Sequence, residues 1–133
     1  MNELYQTQIL ALARTARQGF SISAPTHSAQ LKNPLCGDVV SLDICLENNR
    51  IKEIATKVQG CALCEAGAGL FITLGIEKQL SELDELHQQL ADFLKGHEEH
   101  ATLFAPFTPI REVKNRHKCV MLAFTASTDL KAK

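Results

Sequence analysis

One alternation constrains the fold of this chain more than any other stretch. From Asp38 to Glu47, Val40, Leu42, Ile44 and Leu46 fall on one side, while Asp38, Ser41, Asp43 and Glu47 mark the more polar stretch around them. A period of two belongs to a half-buried β-strand, because successive side chains of an extended chain point to opposite faces. Asn48-Asn49 follows. Asparagine tolerates the positive φ that both central residues of a tight hairpin turn require. Arg50 to Gln59 is then the returning strand, with Ile54, Thr56 and Val58 on one face. The chain is therefore built around an antiparallel hairpin over 38–59.

Helical patterns surround it. Residues 2–18 form an amphipathic helix with Leu4, Gln8, Leu12 and Ala16 near one face and Ile9 and Ala13 beside it. Arg14 and Arg17 stand near its end, where cations suit the dipole, and Gly19 is the stop. Residues 20–35 contain Ser, Thr and Pro and are expected to be loop, with at most a short strand over 20–23. Gly60 ends the second hairpin strand, Cys61 follows, and 62–76 form a helix in which Ala66, Gly67, Ala68 and Gly69 cluster. Each glycine costs a helix roughly 1 kcal/mol, so two so close together predict another backbone packed against them. Ser81 opens the next helix with Asp84 at capping-box spacing, and Leu83, Leu86, Leu90 and Leu94 form its apolar stripe before Gly96 ends it. Residues 96–114 are irregular, with a turn of helix over 98–104 and prolines at 106 and 109. A final helix spans 116–130 with Cys119 in its first turn. No repeat or linker divides the chain, so 1–133 is expected to be a single domain.

Composition narrows the function classes. A formal net charge of -1 gives no electrostatic case for nucleic acid. No apolar run approaches the roughly 18 residues of a membrane span. The start, Met1-Asn2-Glu3-Leu4-Tyr5-Gln6, lacks the basic flank and apolar core of a signal peptide, so a cytoplasmic location is expected. Five cysteines in such a chain are reduced thiols, and the odd count excludes complete pairing within one chain. Cys45, mid-strand among apolar neighbours, reads as a small buried hydrophobe.

The chemistry centres on Asn33-Pro34-Leu35-Cys36-Gly37-Asp38, a thiol and a carboxylate two positions apart at a strand start. In extended chain both would face one side and could reach one ion. Cys61 and Cys119 begin helices, where unsatisfied N–H groups favour thiolate. Cys36, Asp38, Cys61 and Cys119 together make a donor set of three sulfurs and one oxygen, suited to zinc or iron. The single oxygen donor suits cargo that is delivered rather than stored. Lys118 could offset the negative charge of the ligands, and His117 could support or orient the site. His97 and His100, beside Glu98 and Glu99, read as a solvated segment. Gly67-x-Gly69 lacks the rest of a nucleotide-binding loop. Cys61-Ala62-Leu63-Cys64 is formally a CxxC, but a hairpin rather than a βαβ unit precedes it, so a thiol-oxidoreductase reading is set aside.

Cys36-Gly37-Asp38, Gly60-Cys61 with its small-residue helix, and Arg116-x-Lys118-Cys119-x-x-Leu122 occur in order within residues 33–124. Together they resemble the U-type iron–sulfur scaffold family (IscU, SufU and the N-terminal domain of NifU). The resemblance implies an α+β fold, a small, mainly antiparallel sheet with helices packed on it, and a site at one exposed end formed by Cys36, Asp38, Cys61 and Cys119. It implies a transient iron–sulfur cluster, of the 2Fe-2S kind, with zinc as the alternative or resting ligand. The partners implied are a cysteine desulfurase and iron–sulfur acceptor proteins, with the chain a monomer or weak homo-oligomer. Lys118-Cys119 stands where the IscU branch has a histidine before its last cysteine, and of the Leu-Pro-Pro-Val-Lys segment only Val113-Lys114 remains, so the chain resembles SufU more. Cys64, Gly67 and Gly69 stand where the family usually has serines, and the Tyr-x-x-Pro-Arg-Asn type segment is replaced by Gly19-Phe20-Ser21-Ile22-Ser23. Two activities are consistent with the resemblance. One is a non-enzymatic scaffold that accepts sulfur, builds a labile cluster and transfers it; the other is a zinc-binding sulfurtransferase. In either, Cys36 is the persulfide acceptor suggested by its loop position.

Overall fold

A computed structural model of the protein describes residues 2–18, 21–34 and 37–132. In chain order they form α1 (Glu3–Arg17), β1 (His27–Lys32), β2 (Val39–Glu47), β3 (Arg50–Gln59), α2 (Ala62–Gly75), α3 (Leu80–Leu94), 3-10 turns at Ala105–Glu112 and Lys114–Arg116, α4 (His117–Ser127) and the short β4 (Lys131–Ala132). The sheet is antiparallel throughout, in the order β3-β2-β1-β4. The fold is α+β, with helices packed on one small sheet.

The expected hairpin is present. Asn48 and Asn49 have φ of 54° and 63°, so both central turn residues are left-handed as a type I′ turn requires. Val40, Leu42 and Ile44 face Val58, Thr56 and Ile54 across the strands. A bulge between Cys45 and Leu46 shifts the register, so Ile51 also turns inward and is fully buried. Cys45 is only half-buried, on the opposite face from Val40, Leu42 and Ile44, and is not part of the core.

The 20–35 region departs from expectation. His27–Lys32 is a strand paired along β2, with Ala29 and Leu31 packed on the core, whereas 21–23 is not a strand. Ala, Gln, Ser and Lys have little intrinsic strand preference, and pairing to β2 overrides it. Phe20 and the Gly19 stop lie outside the described residues.

On α1, Asn2 caps the first turn by accepting from the Tyr5 N–H at 3.1 Å. Its buried stripe is Ile9, Ala13 and Ala16; Leu4 is 64 % exposed, so the helix is rotated from the Leu4–Gln8–Leu12 face. The capping box of α3 falls two residues before the expected one: Gln79 is the cap, and its N–H donates to Glu82 at 2.9 Å. Leu83, Leu86, Leu90 and Leu94 are all buried, as their spacing predicts. After α3, proline-bearing 3-10 turns bury Phe107 and Ile110. Rings link the layers: Phe71 of α2 meets Phe124 of α4 edge-on at 5.4 Å, and Phe104 joins Phe124 to Phe93 of α3. The last helix stops at Ser127 rather than 130, where Thr128 folds back on the Thr125 carbonyl and the chain returns to pair with β1.

α2 lies between α1 and α4. A Cβ on Gly67 would stand 2.1 Å from the Val120 carbonyl oxygen, and one on Gly69 would stand 1.8 Å from that of Leu12. The glycine pair thus admits a neighbouring backbone on each side, which is the close packing their clustering predicts. The first of these contacts places the start of α4 against the first turns of α2.

Candidate metal centre

Three elements end at one place. β3 runs into α2 through Gly60, and Cys61 is the N-cap of α2 with extended backbone (φ -76°, ψ 169°) and no side-chain capping bond. Cys64 is three residues on. That is the spacing by which a cap and a third helical residue share one side, so both sulfurs project from the same edge of the helix. Cys119 is the third residue of α4, and contact at Gly67 brings it alongside. Asp38 comes from the connection between β1 and β2.

That connection is a turn, not the start of a strand. The Gly37 N–H donates to the Asn33 carbonyl at 2.7 Å, the Asn33 N–H donates to the Asp38 carbonyl at 2.7 Å, and Gly37 has a φ of +77°. Strand β2 begins only at Val39. Gly37 is left-handed, so the chain entering Asp38 is not the extended strand that alternation assumes. Cys36 and Leu35 lie outside the described residues. Asp38 itself reaches the site: its carboxylate lies over Gly60, where a Cβ would come within 2.8 Å of Cγ.

The result is a compact donor set. A carboxylate oxygen of Asp38 and the sulfurs of Cys61, Cys64 and Cys119 all lie within 4.8 Å of one another. The Cys64 thiol donates to Asp38 Oδ2 at 2.8 Å. Asp38 is 9 % exposed, Cys64 2 % and Cys119 3 %, while Cys61 is half-buried and forms the open side. A tetrahedral ion with sulfur ligands near ~2.3 Å places its donors about 3.8 Å apart, so these residues fit a single zinc or iron ion. Three thiols and one carboxylate are soft enough for either metal.

Acidic donors and cationic neighbours meet at this site. Burial first, then the bond to Asp38 and the nearness of Cys61 and Cys119, push the Cys64 thiol far above its ordinary range. Arg116, the N-cap of α4, is exposed and donates to the Cys119 sulfur. That bond, with the charges of Cys61, Cys119 and Asp38, raises its guanidinium further above an already high value. The N-termini of α2 and α4 both end here, adding their positive dipole ends.

Of the residues singled out in the sequence, Asp38, Cys61 and Cys119 are brought together, and Arg116 stands beside them. Lys118 is exposed to solvent. His117 turns away from the sulfurs: its Nε2 lies 2.9 Å from the Ile110 carbonyl and 3.2 Å from that of Arg111, pinning the start of α4 to the 3-10 turn. Cys64 is the member that sequence reasoning passed over. Its signal was present in the CxxC, weighed there only as a redox motif.

The fold is α+β, with three thiols and a carboxylate gathered where the β1–β2 turn meets the starts of α2 and α4. The sequence profile of the NifU-like N terminal domain family matches residues 4–105, and the chain belongs to that family. It is 29 % identical over 107 residues to an iron-sulfur cluster assembly scaffold protein IscU of Streptococcus pyogenes serotype M1, a match spanning 75 % of this chain and 65 % of that protein. The chain thus matches less than two thirds of that relative's length. It is 24 % identical to a protein of the same name from Thermotoga maritima, covering 91 % of this chain and 87 % of that one. Among solved structures, a NifU-like protein (N-terminal) from Brucella abortus superposes with a TM-score of 0.79 at 25 % identity, over 94 % of this chain and 90 % of that one. A candidate SUF-system scaffold from Fervidobacterium islandicum AW-1 shares the fold, with a TM-score of 0.82 at 21 % identity, over 97 % and 94 % of the two chains. Cys119 lies beyond the residues matched by the family profile; the structural likeness carries the fold through it.

Proposed function

We propose that this protein is a scaffold for iron–sulfur cluster assembly. It accepts sulfur from a cysteine desulfurase, holds a labile cluster of the 2Fe-2S kind on its cysteines and Asp38, and passes it to acceptor proteins. The observation that carries this reading is the convergence of three thiols and one carboxylate, half-open at Cys61, in a chain of the NifU-like family. The cluster is the cargo. A carboxylate is a harder donor than thiolate and a poorer partner for iron–sulfur centres, so a mixed donor set releases cargo more readily than four cysteines. Arg116 beside Cys119 offsets the negative charge that bound thiolates bring.

Sulfur delivery needs one attacking thiolate. It forms a bond to the outer sulfur of the desulfurase persulfide as the desulfurase S–S bond breaks, and the desulfurase cysteine leaves as thiolate. Cys36, between Pro34 and Gly37 in the sequence, is the residue we assign to this step. The location consistent with such a role is the cytoplasm; among the described residues no helix is long and apolar enough to cross a membrane.

A second reading has its own support. Donors all within 4.8 Å of one another suit one ion better than two, which favours a zinc-bound protein that relays sulfur, in the manner the SufU resemblance suggests. Anaerobic purification with metal and sulfide quantification, followed by reconstitution with iron and sulfide, separates the two. Visible cluster absorption on reconstitution is the expected outcome. About one firmly held zinc per chain, with no cluster formed, would select the sulfurtransferase instead.

A further inference from the structure

Cys61 and Cys64 stand at the start of α2 in unlike surroundings. Cys61 is the N-cap, with extended backbone and a half-buried side chain. Cys64 is the third helical residue, buried, and its thiol donates to Asp38 Oδ2 at 2.8 Å. The two sulfurs lie within 4.8 Å of each other. A cap residue has non-helical backbone, so its sulfur can close on that of Cys64 without unwinding the helix. A thiol must lose its proton to attack, and the Cys64 S–H already points at a carboxylate that can take it. The pair therefore offers an open thiol that can carry sulfur and a buried one, with a base beside it, that can displace that sulfur. Cluster assembly has a use for such a pair. A persulfide carries its outer sulfur at the oxidation level of the element, whereas a cluster contains sulfide, so two electrons must come from somewhere.

We propose that Cys64 is a resolving thiol, which attacks a persulfide on Cys61 and releases its outer sulfur as sulfide. This rests on the reading above that the chain accepts persulfide sulfur, and it applies to the metal-free protein once that sulfur has reached Cys61. The Cys64 proton passes to Asp38 along the existing hydrogen bond. The Cys64 sulfur bonds to Cys61 Sγ as the bond from that Sγ to the outer sulfur breaks, and the outer sulfur leaves as hydrosulfide. The two cysteines lose two electrons in becoming a disulfide, and the released sulfur gains them. A dithiol that reduces the Cys61–Cys64 disulfide resets the pair for a second turnover. Cys119 is the rival nucleophile, within the same 4.8 Å but on α4, with the Arg116 guanidinium donating to its sulfur. A thiolate stabilised in this way is intrinsically the less nucleophilic.

The competing account makes Cys64 only a hydrogen-bond donor that orients Asp38. The test uses the full chain, metal-free and fully reduced, with the cysteine desulfurase of the same organism. The desulfurase is loaded with radiosulfur-labelled persulfide and desalted free of cysteine. Wild type is expected to release about one labelled sulfide per chain without added reductant. Peptide mapping after alkylation should then show a Cys61–Cys64 disulfide. In Cys64→Ser, whose hydroxyl still donates to Asp38, the label should stay bound as persulfide and sulfide release should fall at least about tenfold. Undiminished release by Cys64→Ser overturns the proposal in favour of the orienting role. A Cys61–Cys119 disulfide in wild type, or label that wild type keeps as persulfide, overturns it without recourse to any variant. Wild type that takes no label from the desulfurase defeats the sulfur-acceptance reading itself, and the proposal with it.

Discussion

α2 and α3 are helices of 14 and 15 residues built on opposite terms. α3 has a capping box, an apolar stripe and a polar outer face, so its local preferences and its packing agree. α2 has neither a side-chain cap nor a stripe. Cys64 and every residue from Ala66 to Phe71 are buried, and two of these are glycines. Each glycine is locally unfavourable by roughly 1 kcal/mol, and a helix so composed persists because α1, α4 and the sheet enclose it. Leaving out Cβ atoms is what lets α4 approach and set Cys119 against Cys61 and Cys64. The helix that carries the site is shaped for proximity, and the peripheral helix supplies conventional stability.

If that division is right, the two helices should fail differently. Leu90→Ala in α3 removes a fully buried side chain and should cost about 2–5 kcal/mol of unfolding free energy. Zinc affinity of the folded protein should be unchanged, as read by denaturant titration beside chelator competition. A large affinity loss in Leu90→Ala would break the comparison. Gly67→Ala should cost about 3 kcal/mol or more, because the neighbour it meets is α4 backbone rather than the tip of a flexible side chain. Its Cβ would meet the Val120 carbonyl at 2.1 Å, so α4 must shift and carry Cys119 with it. Zinc affinity should then fall by at least about tenfold, the size of effect seen when ligands are mispositioned. Gly60→Ala narrows the test to one ligand. The atoms nearest the added Cβ all belong to the Asp38 side chain, with Cγ at 2.8 Å. We expect stability within about 1 kcal/mol of wild type and a drop of roughly tenfold in zinc affinity. Wild-type affinity in Gly60→Ala would mean that Asp38 is not a ligand.

The same contrast explains what could be read from the sequence. The hairpin and the stripe of α3 were legible because period and turn chemistry are local: Asn48-Asn49 and Leu83-Leu86-Leu90-Leu94 state their structure without reference to the rest of the chain. The glycine pair announced a close backbone contact but not its partners, since Val120 and Leu12 are distant in sequence. β1 was missed because its pairing to β2 supplies what His27–Lys32 lacks in strand preference. At the site, Asp38, Cys61 and Cys119 were found from their positions at the edges of elements. Asp38 nevertheless reaches the site from a turn rather than from extended strand, because Gly37 turns the chain. Cys64 was set aside because its place in the family pattern suggested serine. Its true context, cap and third helical residue on one side, depends on where α2 begins to within one residue, and helix boundaries are what sequence patterns define least well.

The smallest effect lies where α3 touches α4. His87 of α3 places Nε2 3.1 Å from the Thr125 hydroxyl of α4. Burial lowers its pKa, with the nearby Asp84 carboxylate opposing the shift. The folded protein therefore binds a proton at this ring less readily than the unfolded chain, whose histidine titrates near about 6.5. Above that pH both states are neutral at His87 and stability is unaffected by it. As the pH falls below it, the unfolded chain gains protons first and stability is lost until the folded-state pKa is passed. Denaturant midpoints measured from pH 7.5 down to 5 should fall more steeply for wild type than for His87→Gln, which keeps a polar group toward Thr125 without the titration. Equal slopes would mean that His87 does not report on the α3–α4 contact. Zinc affinity at pH 7.5 should be the same in both proteins, because the ring touches α4 two turns beyond Cys119 and the peripheral helix does not set the ligands.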